Sequence, residues 1–327
     1  MINAHGHILG FDVGGTKISA VIGNDRGEIR AKIERLTVKH LGRDRLTQQL
    51  YEMGQEAMDT VGLRHVDGIG IVFAGIVDND RGMVVNAPNI PGMRKYEIVP
   101  LIQGRFDAPT VLENDATGAA IAERMYGSGR NVNDFAYITL STGIGGGFFS
   151  GGRLVRGAHG IAGEFGHNVI MVNGPTCGCG RQGCLESLAS GKAIARRVKE
   201  NISAFRDSGE LSRIPIQKVD AKAVFDAMEK GDGLSRLIVE ETAYYLAVGI
   251  VNIVCTLDPE VIILGGGITK SGNYLFPQLR KAIRDEFKSM KRPVRIVKAL
   301  PNVTDLAAVS LPLFYKDRPG RESTGGK

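Results

Sequence analysis

Residues 7–22 read HILGFDVGGTKISAVI, an apolar run that is broken by a glycine-rich turn and then resumes. Two apolar runs around a short glycine turn predict a β-hairpin. Residues 135–149, FAYITLSTGIGGGFF, repeat this arrangement later in the chain. The two units suggest an internal duplication, although two ordinary glycine turns would give the same pattern.

The remaining segments alternate between helical and strand patterns. Helices are predicted for residues 45–61, 116–126, 221–230, 234–257 and 273–289. Strands are predicted for residues 69–77, 111–112, 261–264 and 294–299. This alternation predicts an α/β fold with mixed sheets.

Length and composition limit the class of protein. The 327 residues suggest two domains, and the 43% of hydrophobic residues is typical of a soluble globular chain. The longest nearly apolar stretch, residues 246–257, is too short to span a bilayer, and the N-terminus lacks a secretory leader pattern. The net charge of +6 is not gathered into a basic block. We therefore expect a cytoplasmic protein that binds neither membrane nor nucleic acid.

The turn in the first hairpin could bind a phosphate chain. Gly14 and Gly15 let backbone N–H groups approach an anion, Thr16 adds a hydroxyl, and Lys17 adds a positive charge. Asp12, at the end of the strand, could hold Mg²⁺ through water. The spacing is neither that of a P-loop nor that of the dinucleotide fingerprint, and a plain hairpin turn is the alternative.

Two further glycine turns have the same chemistry. One lies in the second hairpin, and the other follows the strand predicted at 261–264. Three such turns at strand ends predict a site that holds a nucleotide from both sides. The contacts predicted in these two turns are Thr142, Gly143, Gly265, Gly266 and Gly267.

Asp115 stands between a predicted strand and a predicted helix, in Glu113-Asn114-Asp115. A carboxylate in this place is either a helix N-cap or a reactive group, and on residue preference alone the cap is the more common role. Asn114 could serve as the cap equally well.

Three of the four cysteines lie within eight residues, shortly after His167. His167, Cys177, Cys179 and Cys184 form a Cys3His set of the kind that holds structural Zn²⁺, and four protein ligands leave no open position for catalysis. Simple loop thiols are the alternative. The fourth cysteine, Cys255, falls in an apolar helix and is predicted to lie in the core.

Several motifs together carry a family resemblance. In order, they are DVGGTK (12–17), END (113–115), STGIGGG (141–147), EFGH (164–167) and the cysteine run CGCGRQGC (177–184). With these motifs the chain resembles the ROK family of repressors, open reading frames and kinases, and most of all its glucokinase-like branch. The resemblance implies an actin/hexokinase-like (ribonuclease H-like) ATPase fold with two α/β lobes around a cleft. The predicted small lobe is 1–116 closed by 302–316, the large lobe is 117–301 with the zinc loop, and 317–327 is a disordered tail.

The resemblance also implies residue roles. Asp115 matches the general base that accepts the proton of the sugar 6-hydroxyl during transfer from ATP with Mg²⁺. The matching sugar contacts are Asn89, Asn114, Asp115, Glu164, His167 and Glu186. His167 would use one ring nitrogen for zinc and the other for a hydroxyl. A homodimer or a dimer of dimers is the expected assembly.

Two departures from the family pattern leave the sugar open. Residues 73–78 read FAGIVD where the family often has Pro-Gly, and Met93 stands where glucokinases often have Trp. Glucose is the first expectation, and the alternatives are an N-acetylhexosamine kinase, a fructokinase or a non-catalytic sugar sensor. The first strand begins near residue 7, which leaves no room before it for the DNA-binding segment of the family's repressors.

Overall fold

The computed structural model describes residues 6–205, 209–287 and 294–316. The chain divides into two compact units: unit 1 comprises 1–131, 156–161 and 300–327, and unit 2 comprises 132–155 and 162–299. The boundary differs from the expected one at 116/117, which would cut a helix near its start. The short stretch 156–161 also belongs to unit 1 rather than to the predicted large lobe. The predicted tail at 317–327 lies outside the described residues.

Unit 1 begins with three strands and a helix. Its elements up to residue 126 are β1 (His7–Val13), β2 (Lys17–Asn24), β3 (Ile29–Leu36), α1 (Gly42–Thr60), β4 (Gly68–Phe73), β5 (Ile76–Asp78), β6 (Met83–Asn86), β7 (Arg94–Tyr96), α2 (Ile98–Phe106), β8 (Thr110–Asn114) and α3 (Asp115–Tyr126). The main sheet has the order β3-β2-β1-β4-β8, in which β1, β2 and β3 are antiparallel and β4 and β8 run parallel to β1.

Unit 2 repeats this plan. Its elements are β9 (Phe135–Leu140), β10 (Ile144–Ser150), β11 (Arg153–Val155), α4 (Leu185–Ala189), α5 (Gly191–Asn201), α6 (Ala221–Glu229), α7 (Gly233–Leu257), β12 (Val261–Gly265), α8 (Gly272–Glu286) and β13 (Arg295–Lys298). The sheet order is β11-β10-β9-β12-β13, with the same strand directions as in unit 1. The suggested duplication is therefore present in the topology.

The chain returns to unit 1 as α9 (Val303–Phe314), which packs on β1 and β4. Neighbouring residues of a strand face opposite sides of the sheet, so Gly10 faces α9 while Leu9 and Phe11 join the core that includes α1. At Gly70 a Cβ would lie 1.8 Å from the carbonyl oxygen of Ala308. The sheet therefore needs glycine where the helix approaches it most closely.

Three expectations about single elements need correction. The strand predicted at 69–77 is broken at Ala74–Gly75, and its second part, β5, joins β6 and β7 in a separate small sheet. Cys255 is exposed on α7 rather than buried in the core. The end of the helix predicted at 273–289 lies outside the described residues, since α8 ends at Glu286.

Helix α7 is long and apolar enough to cross a membrane by length and composition. More than half of its most apolar stretch is buried in the core of unit 2, where Leu246, Ile250 and Ile253 contribute to the packing. That is the burial of a core helix in a globular domain.

Candidate functional site

The turn between β1 and β2 is held by hydrogen bonds that the sequence did not indicate. Gly14 N–H donates to the Lys17 carbonyl at 3.0 Å, and Thr37 N–H donates to the Thr16 carbonyl at 2.9 Å. The Thr37 hydroxyl donates to the Gly14 carbonyl at 2.7 Å. Thr37, beyond the end of β3, thus fixes the backbone of the predicted phosphate turn.

The same turn lies beside a predicted sugar contact. A Cβ at Gly15 would be 2.8 Å from the Cβ of Asn89, whose side chain is exposed. Lys17 Nζ donates to Glu34 at 2.7 Å, and both side chains are about half-exposed. An exposed ion pair of this kind is weak, so Lys17 can exchange Glu34 for a phosphate.

Asp12 is part of a group of carboxylates with an excess of negative charge. Burial raises the pKa of Asp12 to about 7, and the charges of Asp115 and Asp305 add to that rise. Lys17 and Lys32 oppose it, and Lys32 Nζ also contacts Asp305 at 2.8 Å. A cation near Asp12 would offset the remaining negative charge, and carboxylate oxygens are ligands that Mg²⁺ prefers.

The junction of β8 and α3 shows which of two neighbouring residues is the N-cap of α3, a question that the sequence left open. Asn114 is the N-cap of α3, since its Oδ1 accepts from the N–H groups of Ala116 at 3.0 Å and Thr117 at 3.1 Å. Its Nδ2 donates to the Gly75 carbonyl at 3.0 Å. Asp115 is the first residue of α3 and is not the cap, so the cap interpretation of Asp115 was wrong.

The four predicted zinc ligands lie together in unit 2. Their ligand atoms all fall within 4.8 Å of one another. His167 Nδ1 is 3.6 Å from Cys177 Sγ, and Cys179 Sγ is 3.7 Å from Cys184 Sγ. A tetrahedral ion with Zn–S about 2.3 Å and Zn–N about 2.0 Å needs separations of about 3.5 Å and about 3.8 Å. The residues therefore fit Zn²⁺.

Tight turns shape this cysteine loop. Cys177 N–H donates to the Arg181 carbonyl at 2.7 Å, and Gly180 N–H donates to the Cys177 carbonyl at 2.9 Å. Gly180 has a φ of +86° and Gly183 a φ of +73°, both in the left-handed region that favours glycine. A Cβ at Gly183 would also lie 1.6 Å from the Met171 carbonyl oxygen.

His167 has two different faces. Its Nδ1 points to the sulfur cluster, and its Nε2 lies 3.9 Å from Glu164 Oε2. Partial burial raises the pKa of Glu164; His167 opposes that shift and Glu186 adds to it. The two ring nitrogens therefore face different groups, and a metal at Nδ1 with a hydroxyl at Nε2 stays a prediction.

Glu186, at the start of α4, connects the cysteine loop with the second glycine turn. Ile144 N–H donates to Glu186 Oε2 at 2.9 Å, and Cys177 Sγ lies 3.8 Å from Oε1. A Cβ at Gly143 would be 2.4 Å from the same Oε2. The sequence placed Gly143 only against ATP, because its contact with Glu186 depends on a loop that comes much later in the chain.

The third glycine turn has a partly structural explanation. A Cβ at Gly265 would lie 2.3 Å from the Tyr137 hydroxyl, and one at Gly266 would lie 2.3 Å from the Leu140 carbonyl oxygen. Nothing lies within 4 Å of the corresponding position at Gly267. Close packing against β9 therefore requires the first two glycines, and the third borders open space.

Comparison with known proteins identifies the class of this two-unit α/β fold. A ROK family glucokinase from Streptomyces griseus, solved in complex with glucose and AMPPNP, superposes with a TM-score of 0.82 at 31% identity and covers 94% of this chain and 99% of its own. A glucokinase from Thermotoga maritima is 33% identical over 96% of this chain and 98% of its own length. An N-acetylmannosamine kinase from Escherichia fergusonii is also 33% identical, over 82% and 85%.

The family model for the ROK family matches residues 8–304. The chain belongs to the ROK family, and its predicted hexokinase-like fold is confirmed.

Proposed function

We propose that this protein is an ATP-dependent hexose kinase that phosphorylates the 6-hydroxyl, with glucose as its first substrate. Family membership and the glucokinases among its relatives support the reaction class. The observation that carries the proposal is the β8–α3 junction. Asn114 caps the helix there, and Asp115 is close enough to Asp12 for its charge to raise the pKa of Asp12.

In the proposed reaction, Asp115 accepts the proton of the sugar 6-hydroxyl while that oxygen bonds to the γ-phosphorus of ATP. The bond from the γ-phosphorus to the bridging oxygen breaks, and ADP leaves with that oxygen. Such transfer depends mostly on positioning and on stabilisation of charge, so one oriented carboxylate is sufficient as the base. Asp12 would hold Mg²⁺, which supplies positive charge to the phosphates when bound.

The remaining roles belong to the same proposal. Sugar hydroxyls are contacted by Asn89, Asn114, Glu164, His167 and Glu186. Phosphates and nucleoside are contacted by Gly14, Gly15, Thr16, Lys17, Thr142, Gly143, Gly265, Gly266 and Gly267. At Gly265 and Gly266 the absence of a Cβ also serves the packing described above. His167, Cys177, Cys179 and Cys184 would hold a structural Zn²⁺ that keeps the sugar-binding loop in shape.

An N-acetylhexosamine kinase is the second candidate, because an N-acetylmannosamine kinase matches at the same 33% identity as the glucokinase. A panel of glucose, fructose, mannose and N-acetylhexosamines in a coupled ADP-release assay separates the candidates. We expect glucose to give the highest kcat/KM. If no sugar releases ADP, the kinase proposal fails and a sugar sensor takes its place.

We also propose a homodimer or dimer of dimers in the cytoplasm. Leu237 and Tyr244, seven residues apart on α7, are 40% and 50% exposed, with Glu240 and Glu241 between them. Exposed large apolar side chains beside charged ones suit a contact with a second copy. A reducing compartment keeps the three clustered cysteines available as metal ligands. A sedimentation mass of one chain, 35.1 kDa, at micromolar protein contradicts the dimer.

A further inference from the structure

Glu113 is a buried carboxylate that the proposed reaction does not use. It is 3% exposed and lies two residues before Asp115. Its Oε1 accepts the N–H of Asn114 at 2.9 Å, and its Oε2 accepts the Tyr315 hydroxyl at 2.8 Å. Arg156 Nη2 donates both to Glu113 Oε2 and to the Tyr315 oxygen. Glu113 is therefore held by donors at both of its oxygens.

The partners of Glu113 come from distant parts of the sequence. Arg156 begins the stretch 156–161, which belongs to unit 1 although the residues on either side of it belong to unit 2. Tyr315 comes directly after the last residue of α9, and its ring lies 5.3 Å from the Arg156 guanidinium carbon. Burial alone would lower the pKa of Arg156, but the charge of Glu113 and the contact with Tyr315 more than reverse this, so the guanidinium stays charged.

We propose that Arg156 is a positioning residue for phosphoryl transfer. It neutralises and holds Glu113, and Glu113 in turn holds the backbone of Asn114, from which α3 and Asp115 continue. The inference rests on the proposed role of Asp115 as the base. In the proposed role, Arg156 itself touches neither substrate nor reacting atoms.

The physical basis is the asymmetry of buried ion pairs. Removing one partner leaves an uncompensated charge, whereas replacing both by neutral groups of similar size is much better tolerated. An unpaired Glu113 would turn toward solvent or another donor and release Asn114 N–H. A small displacement of Asp115 from the attacking hydroxyl would then slow the chemical step far more than it weakens sugar binding through Asn114.

The experiment compares steady-state kinetics of R156M, R156K, the double variant E113Q/R156M and D115N. We expect R156M to lower kcat by about 10- to 100-fold, with the KM values for ATP and sugar within about threefold of wild type. R156K, which keeps the charge, should recover most of that loss. The double variant should be at least about tenfold faster than R156M, because neither partner is then left charged and alone.

Arg153→Met is the matched control, because it removes the charge of an exposed arginine three residues earlier, on β11. Its kcat should stay within about twofold of wild type, since a surface charge away from special features contributes little. If R156M does not fold, Y315F replaces it and should lower kcat by about threefold or more through loss of one hydrogen bond to a charged group.

Folded R156M with the kcat of R153M overturns the inference, and so does a double variant no faster than R156M or a Y315F enzyme with wild-type kcat. D115N keeps the two proposals apart. Near-normal turnover in D115N would contradict the proposal that Asp115 is the base. An inactive D115N together with a normal R156M would contradict only the proposed role of Arg156.

Discussion

The two five-stranded sheets have the same strand order and the same strand directions. The residues at the ends of equivalent strands differ in their side-chain chemistry. The last pair of the first hairpin is Val13 with Ile18, and that of the second is Leu140 with Ile144, so Asp12 corresponds to Thr139. The last strand of unit 1 leads into Asp115, and that of unit 2 leads into Ala299. The carboxylates at these strand ends are thus confined to unit 1.

The connection from the third strand to the first helix of unit 2 is much longer than its counterpart in unit 1, and its first part, 156–161, belongs to unit 1. In unit 1 only residues 37–41 separate β3 from α1, whereas residues 156–184 separate β11 from α4. That longer stretch carries Glu164, His167 and the three clustered cysteines. The two units therefore share one backbone plan, but the strand-end carboxylates lie in unit 1, and the Cys3His cluster lies in the longer connection before α4.

The largest expected effect concerns Asp115, whose equivalent position in unit 2 is Ala299 and carries no carboxylate. Asp115→Asn keeps the size of the side chain but removes the base, so kcat should fall by roughly 10²–10⁴-fold. Sugar affinity, measured by calorimetry, should change far less. A kcat near that of wild type would mean that the strand-end carboxylates do not distinguish the two units chemically.

The second prediction concerns the glycine turn of unit 2. In Gly143→Ala the new methyl group collides with Glu186 Oε2, so Glu186 must move. The sugar KM should rise by about tenfold, the loss of one hydrogen bond to a charged group, and by more than the ATP KM. Gly233→Ala is the control in the same unit, since nothing lies within 4 Å of its added Cβ. A rise in the ATP KM alone would show that Gly143 serves only the nucleotide.

The Cys3His cluster in the connection before α4 gives the third prediction. Cys179→Ser should weaken zinc binding, raise the sugar KM several-fold, and lower the melting temperature, because metal affinity contributes to folding. Elemental analysis should find about one zinc per chain in wild type, as one Cys3His set allows. Cys255→Ser, which alters an exposed thiol on α7, should change none of these quantities. Full activity in metal-free protein would show that the three clustered cysteines are simple loop thiols and not ligands of a metal that the enzyme needs.

The smallest effect concerns the pH dependence of stability. Because the pKa of Asp12 is raised from 3.8 to about 7, the folded protein binds this proton more tightly than the unfolded chain does. Without divalent cations, this group therefore lowers stability progressively as pH rises from about 4 to about 7. In Asp12→Asn the melting temperature should decline less over that range, by roughly a few degrees. Parallel curves of melting temperature against pH for variant and wild type would contradict a raised pKa of Asp12.

Local signals in the sequence predicted the hairpins, the glycine turns and the cysteine ligands, since each lies within a few neighbouring residues. Contacts between distant segments were not predictable in this way. Asp305 reaches Ser19 across 286 positions, and Tyr315 reaches Glu113 across 202. The packing of Gly265 and Gly266 against β9 was not predicted for the same reason. In the sequence alone, a glycine needed for such packing looks the same as a glycine in a ligand-binding turn.

Only the structure could decide whether Asp115 or Asn114 is the N-cap of α3. Asp and Asn are both good N-caps, so residue preference could not assign the cap. The hydrogen bonds from Ala116 and Thr117 to Asn114 decide it.

A single-turnover measurement tests most directly whether the strand-end carboxylate of unit 1 carries the chemistry. Enzyme in excess over γ-labelled ATP is mixed with saturating glucose, quenched within milliseconds to minutes, and assayed for sugar 6-phosphate. We expect rapid formation of the 6-phosphate by wild type and formation slower by roughly 10²–10⁴-fold in Asp115→Asn, with glucose still bound. Equal single-turnover rates in the two proteins would contradict the role of Asp115 as the base.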